Sequence, residues 1–418
     1  MSNALTHRQQ LSAQLLFVVA SSTMLATQSR ALAGGLGIGE VTGVLFMALT
    51  WRMRSGLPTW AMLSMATLLA GYVVGATANL FSGLSTQLAL RDFAALGFAL
   101  VFAASAVAHL RAQGDPVLAI SQALTGAVLV QLIPVLLFFI GIESPAWLTD
   151  SEEPGIPFLS RYIGFSDNPN QLGVLLCAYP LLAIAAIQRS HRLAGRCMAG
   201  LGLLAAILLA VLVRSNTVFS AYILAGTLWT VLRFNLWDSK LRTGFRIDRL
   251  LVTLVFGVLA VMGFVLYALE SIDKTESADA NGRFPLWINA MDGIAQSAFM
   301  GVGPGGQSGP TSPFQGDEAH NFLLDITLQG GLLSLLAYLF LLYSLLRHVL
   351  GQRSLLAACV VLAVLTQQVS HYTARQPIAW LYLLLPLTLA APRPRPAGLT
   401  LQQSRPSGAH LAFPGPKP

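Results

Sequence analysis

The stretch HNFLLDITLQGGLLSLLAYLFLLYSLL runs from His320 to Leu346 with Asp325 as its only acid and no Lys or Arg. About 20 apolar residues in a helix cross the ~30 Å hydrocarbon layer of a bilayer, so this run is long enough to span one. Lipid offers no water to unpaired backbone groups, and a helix satisfies them within a single segment. Similar runs recur on both sides of it. Spans are predicted at roughly 11–27, 36–51, 59–79, 92–110, 117–141, 170–188, 197–213, 217–232, 250–269, 321–346, 354–370 and 377–391. The 418-residue chain is 55% hydrophobic and only 10% charged, and the ten-residue alternation of a membrane barrel is absent. The expected fold is therefore an all-α polytopic integral membrane protein of about 12 transmembrane helices, with a large loop before the tenth.

Charge orders these spans. The net charge of +7 does not point to nucleic acid, because no basic domain stands apart from the apolar runs. With the N-terminus inside, eighteen of the 25 Lys and Arg fall on the inner side, as the positive-inside rule requires. Both termini are then cytoplasmic. The membrane domain covers 1–391, with an outer loop at 270–319. The basic inner loop from Arg233 to Arg249 is expected on anionic headgroups. Residues 392–418 hold seven of the 21 prolines and read as a disordered cytoplasmic tail. Ala31-Leu32-Ala33 resembles a signal-peptidase site, but its basic flank is thin and the first span is expected to be retained. Cys177, Cys197 and Cys359 lie in or beside apolar runs, without CxxC spacing. They read as small hydrophobes, so neither a disulfide nor a metal site is expected.

The polar residues of the outer side invite a chemical reading. Arg161 precedes the turn Asn168-Pro169-Asn170, which suits the start of a helix and needs no chemistry to explain it. Arg214 follows the seventh span, either as a snorkelling charge or as a ligand for an anion. Arg283 stands before Trp287 in a segment too apolar for a free loop. Residues 285–297 read as a short helix on the membrane surface, with Trp287 as its interfacial anchor. His320 opens the tenth span as a cap or as a base, with Asn321 and Asp325 placed to orient it. His371 and Arg375 form a further outer pair, a plain hairpin or part of a glycan-binding surface. Guanidinium groups match phosphate with paired hydrogen bonds, and a histidine accepts a proton from a hydroxyl near neutral pH. Together they suit glycosyl transfer from a lipid-linked pyrophosphate. Proton-coupled transport would use similar residues.

Four segments resemble the bacterial O-antigen ligase and O-antigen polymerase superfamily. They are Phe165 to Gly173; Gly282-Arg283 with Trp287; Gly301-Val302-Gly303-Pro304-Gly305; and Ala319-His320-Asn321 leading to Gly330-Gly331-Leu332-Leu333. The resemblance covers roughly 160–350. It implies a twelve-helix enzyme of the bacterial inner membrane with its active site facing the periplasm. Such an enzyme takes a glycan from undecaprenyl pyrophosphate and joins it to a sugar hydroxyl, on lipid A–core or on a second lipid-linked glycan, with no metal or other cofactor. By position His320 resembles the family's base. Arg283 resembles the loop arginine that holds pyrophosphate, and Arg214 a second one, with Arg161 beside them. Asn168, Asn170, Trp287, Asn321, Asp325, His371 and Arg375 are candidates for glycan contact or orientation. Two departures stand out: Arg214-Ser215 reverses the family's Ser-Arg order, and Ser334 replaces a glycine. The alternative function is a flippase or transporter of lipid-linked sugar. It would call for ionisable groups near mid-bilayer, and the spans hold few.

Overall fold

The computed structural model describes residues 7–27, 36–51, 56–82, 86–141, 162–166, 168–235, 283–306 and 318–389. The predicted ninth span, the loops carrying Arg161 and residues 270–282, and the proline-rich tail lie outside them. Every regular element among the described residues is helical. Helices α1 to α8 are His7–Thr23, Ile38–Thr50, Thr59–Ser82, Thr86–Arg111, Pro116–Phe139, Pro169–Arg189, Leu193–Val213 and Asn216–Asn235. They match the first eight predicted spans to within a few residues. Helix α9 is Arg283–Gln296, where the short surface helix was expected. Helix α10 is Phe322–Gln352 and α11 is Leu355–Ser370. The last predicted span divides at Pro386 into α12, Pro377–Leu384, and α13, Pro386–Leu389.

Six of these helices are long and apolar enough to cross a membrane, and several shorter apolar ones accompany them. The chain is a multi-pass membrane protein. Its outer faces suit a lipid surrounding: Leu201, Leu204 and Leu208 on α7, and Leu332, Leu336, Phe340 and Tyr343 on α10, are exposed at helical spacing. Such stripes would be a liability in water and match acyl chains. Helix α6 is the central post, buried on nearly every side and packed against α5, α7, α8 and α11.

Two devices shape the end of the bundle that matters below. Asn168 caps α6, its side chain accepting from the Asn170 amide, with Pro169 in the first turn where a missing N–H costs nothing. Behind this turn the buried Gln131 accepts from the Phe165 amide at 2.9 Å, and its carbonyl accepts from the Tyr162 hydroxyl. The second device is a break in α10 at Gly331, whose φ of 67° is open to glycine and strained for other residues. The connector from α9 fills it. Val302 N donates to Leu328 O, and Leu332 N donates to Phe299 O at 2.9 Å. The glycine-rich turn 301–306 thus seals a helix break. Packing there is so close that a Cβ on Gly75 of α3 would lie 2.1 Å from the Gln329 carbonyl oxygen. Ser334 also has work: its hydroxyl donates to Leu68 O in α3 at 2.9 Å.

Candidate functional site

His320 lies at this end of the bundle, half-exposed, in the turn before α10. Its φ of 53° is uncommon for a residue with a side chain, and the turn is held from three sides. Asp325, fully buried, accepts from the amides on both flanks of the histidine: Ala319 N at 2.9 Å to one oxygen and Asn321 N at 3.1 Å to the other. The Trp287 indole donates to Ala319 O at 2.9 Å. Asn321 caps α10, accepting from Leu323 N and Leu324 N. The sequence placed Asn321 and Asp325 as orienting groups. The Asp325 carboxylate holds the backbone on both sides of His320 rather than the ring, and the Asn321 side chain serves the start of α10.

Among the described residues, the ring lies near His371 and Glu318. Its centroid is 6.4 Å from that of His371, edge to face. Its Nδ1 is 3.9 Å from Glu318 Oε2. Glu318 gives its other oxygen to Arg375, whose Nη1 donates to Asp92 Oδ1 at 2.9 Å. Asp92, in the second turn of α4, is fully buried and also meets Arg91 at 3.3 Å. The Arg375 guanidinium stands 5.3 Å over the Tyr372 ring. The Tyr372 hydroxyl donates to Gln329 and accepts from Tyr72. Burial pulls the Arg375 guanidinium down, but Glu318 and Asp92 outweigh it and push it above its ordinary value, so it stays charged. Burial pushes the Glu318 carboxyl up, with Arg375 pulling it back.

His371 is held in turn, its Nε2 sharing a hydrogen bond of 3.2 Å with Thr217 Oγ1. Thr217 opens α8, three residues after Arg214, which ends α7 in the left-handed region with φ 50° and is half-buried. Below it Gln367 Nε2 reaches Asn170 O at 3.5 Å. Arg283 opens α9, one helical turn before Trp287, so its backbone lies ~6 Å along the axis from the residue that clamps the His320 turn. Its side chain, and all of Arg161, lie outside the described residues. The fold therefore gathers Asn168, Asn170, Arg214, Trp287, His320, Asn321, Asp325, His371 and Arg375 at one end, together with the start of α9. The sequence marks Glu318 as one of an acidic pair before the histidine but assigns it no role, and it has no place for Asp92, Thr217 or the Tyr72–Tyr372 pair. One signal for Asp92 existed: an acid at the lip of an apolar run requires a cation from elsewhere in the chain.

This arrangement can take a proton from a hydroxyl at the imidazole and can place positive charge near a departing anion. Among the described residues no group of three His, Cys, Asp or Glu is spaced to hold a metal ion. Residues 172–339 match a family model described as O-antigen ligase, and no curated protein matches the chain. The matched stretch runs from α6 into α10. It contains Arg214, Arg283, Trp287 and His320 and stops short of His371 and Arg375. The match supports the resemblance read from the sequence and with it an O-antigen ligase or polymerase type of function.

Proposed function

We propose, with residues 172–339 as an O-antigen ligase domain, that the chain is a glycosyltransferase of the bacterial inner membrane. It would join a glycan carried on undecaprenyl pyrophosphate to a sugar hydroxyl at the periplasmic face, with both termini in the cytoplasm. The observation that carries this reading is the fixed turn at His320. Two side chains from two helices, Asp325 and Trp287, hold its backbone through three hydrogen bonds, and the imidazole stands among polar groups at one end of an otherwise apolar bundle.

The donor's polyprenyl chain enters among the lipid-facing helices. Arg283 and Arg214 pair with the pyrophosphate, which must leave. Fixed cations in a partly dry site stabilise the charge that builds on it. His320 accepts the proton of the attacking hydroxyl, a contribution of about 10²- to 10⁴-fold. Attack opposite the pyrophosphate inverts the anomeric centre. Trp287, Asn168, Asn170 and His371 would contact the sugar chain as it approaches the histidine.

Purified full-length protein in liposomes, given an undecaprenyl-pyrophosphate glycan with either a second copy or lipid A–core, tests this directly. A product ladder identifies a polymerase and a single transfer a ligase. His320→Ala, inserted normally, should reduce either product by about 10²-fold or more. Sugar that crosses the vesicle wall with no new bond, or a His320→Ala protein as fast as the parent, overturns the reading.

A further inference from the structure

We infer that Glu318 is the positioning carboxylate for His320: it holds the Nδ1–H of the ring, and it is itself held by Arg375 anchored on Asp92. The inference rests on His320 acting as the base proposed above.

Each oxygen of Glu318 has its own task. One is bound by Arg375, while the other faces His320 Nδ1 at 3.9 Å. Arg375 does not depend on Glu318 for its position, because its second nitrogen is bonded to the fully buried Asp92. The glutamate therefore stands on a fixed post, with one oxygen aimed at a ring whose backbone is equally fixed by Asp325 and Trp287. The remaining separation exceeds a hydrogen bond, and catalytic contacts commonly tighten once substrate is in place. A neutral imidazole has one N–H and one acceptor nitrogen, and the partner of the first decides which is which. A carboxylate on Nδ1 puts the proton there and leaves the Nε2 lone pair for the acceptor hydroxyl.

The transfer step then balances as follows. The acceptor O–H bond breaks, its proton goes to Nε2, and the oxygen's electron pair forms the bond to the anomeric carbon. The bond from that carbon to the pyrophosphate oxygen breaks, and its pair leaves on the diphosphate. Glu318 exchanges no proton. It faces the imidazolium that forms and offsets its charge.

Other charged or titratable groups belong to this end of the bundle. His371, Tyr372 and Arg375 come from the α11–α12 loop, Asp325 from α10, and Arg91 and Asp92 from α4. Arg214 and Arg283 end α7 and open α9. Glu318 is a carboxylate at ion-pair distance from the ring itself, so its removal should register in the titration of His320.

The test compares parent, Glu318→Gln, Glu318→Asp and His320→Ala proteins in liposomes, with initial transfer rates followed across the pH range. Glu318→Gln should lower kcat by about tenfold to a hundredfold and leave the donor KM unchanged. It should also move the acid limb of the profile down by about one unit, because the ring loses the charge that favoured its protonated form. Glu318→Asp should keep the acid limb and recover part of the rate. A Glu318→Gln protein with parental kcat and acid limb, beside an inactive His320→Ala, overturns this inference and leaves the proposed function standing. An active His320→Ala overturns the proposed function itself. Should Glu318→Gln fail to insert, Glu318→Asp decides alone: a lowered kcat with the parental acid limb supports the role, and an unchanged kcat overturns it.

Discussion

The two ends of the bundle use charge in different ways. At the His320 end, Asp92, Glu318 and Arg375 come from three distant segments and meet in one cluster, with Asp92 wholly buried. At the opposite end, Arg189 and Asp115 pair at 3.4 Å with the arginine well exposed. Nearby Arg111 donates to Leu387 O at 3.0 Å and Arg196 to Ser190 O at 2.8 Å. Those arginines finish helix ends and meet the surface, as cations near C-terminal carbonyls do. The difference teaches where energy has been committed. A surface pair contributes little, so its presence says little. A buried cluster is costly to assemble, and in the absence of a stability gain its persistence is best explained by what it holds in place, which here is the histidine turn.

Removing the cation at each end should break this comparison most sharply. Arg375→Ala leaves the Asp92 carboxylate buried, with the exposed Arg91 still beside it. The expected cost is about 3–5 kcal/mol, less whatever Arg91 recovers, together with loss of transfer as Glu318 loses its post. Thermal unfolding in detergent, read beside the transfer rate, checks both. A fall in stability below ~1 kcal/mol would place this cluster with ordinary surface pairs.

The helices and the cluster were not equally legible in the sequence. Each predicted span that falls among the described residues is occupied by a helix, because hydropathy over a long run depends on the run alone. The boundaries drift where polar residues continue a helix past its apolar stretch. Helix α4 starts at Thr86, ahead of Asp92, and α10 runs on to Gln352 through Arg347 and His348. The backbone of the site was half legible. His320, Asn321 and Asp325 are neighbours in sequence, so their association follows from one helical turn. The Glu318–Arg375–Asp92 chain was not legible. Arg375 and Asp92 are 283 residues apart, and no local period encodes a contact of that range. The glycine-rich turn was legible as a motif, whereas its task depends on Gly331 breaking α10 beside it.

A smaller effect should appear in the pH dependence of stability. Burial raises the Glu318 carboxyl above its ordinary value. The folded chain then keeps a proton that the unfolded chain has already released. Stability is fullest below the ordinary glutamate range, falls as the pH rises towards the raised value, and levels beyond it. Arg375 does not titrate in this window, its own shift being upward. Melting temperatures across about pH 4 to 7 should therefore decline more for the parent than for Glu318→Gln. The opposite slope would mean that attraction to Arg375 outweighs burial, and the two ends would then differ in pairing strength more than in solvation.

The smallest effect belongs to Arg189→Ala at the far end. Arg189 meets Asp115 from a well-exposed position, and exposed pairs contribute about 0–1 kcal/mol. Asp115 keeps its main task without the arginine, because its Oδ1 accepts from Val117 N at 3.0 Å and Leu118 N at 3.4 Å at the start of α5. Asp115→Ala should then cost more than Arg189→Ala, about 0.5–2 kcal/mol for the lost cap. Both proteins should transfer glycan at the parental rate, since neither residue reaches the His320 end. An Arg189→Ala protein as unstable as Arg375→Ala would erase the distinction between the ends. One that is stable but slow in transfer would show that the far end communicates with the histidine along the helices.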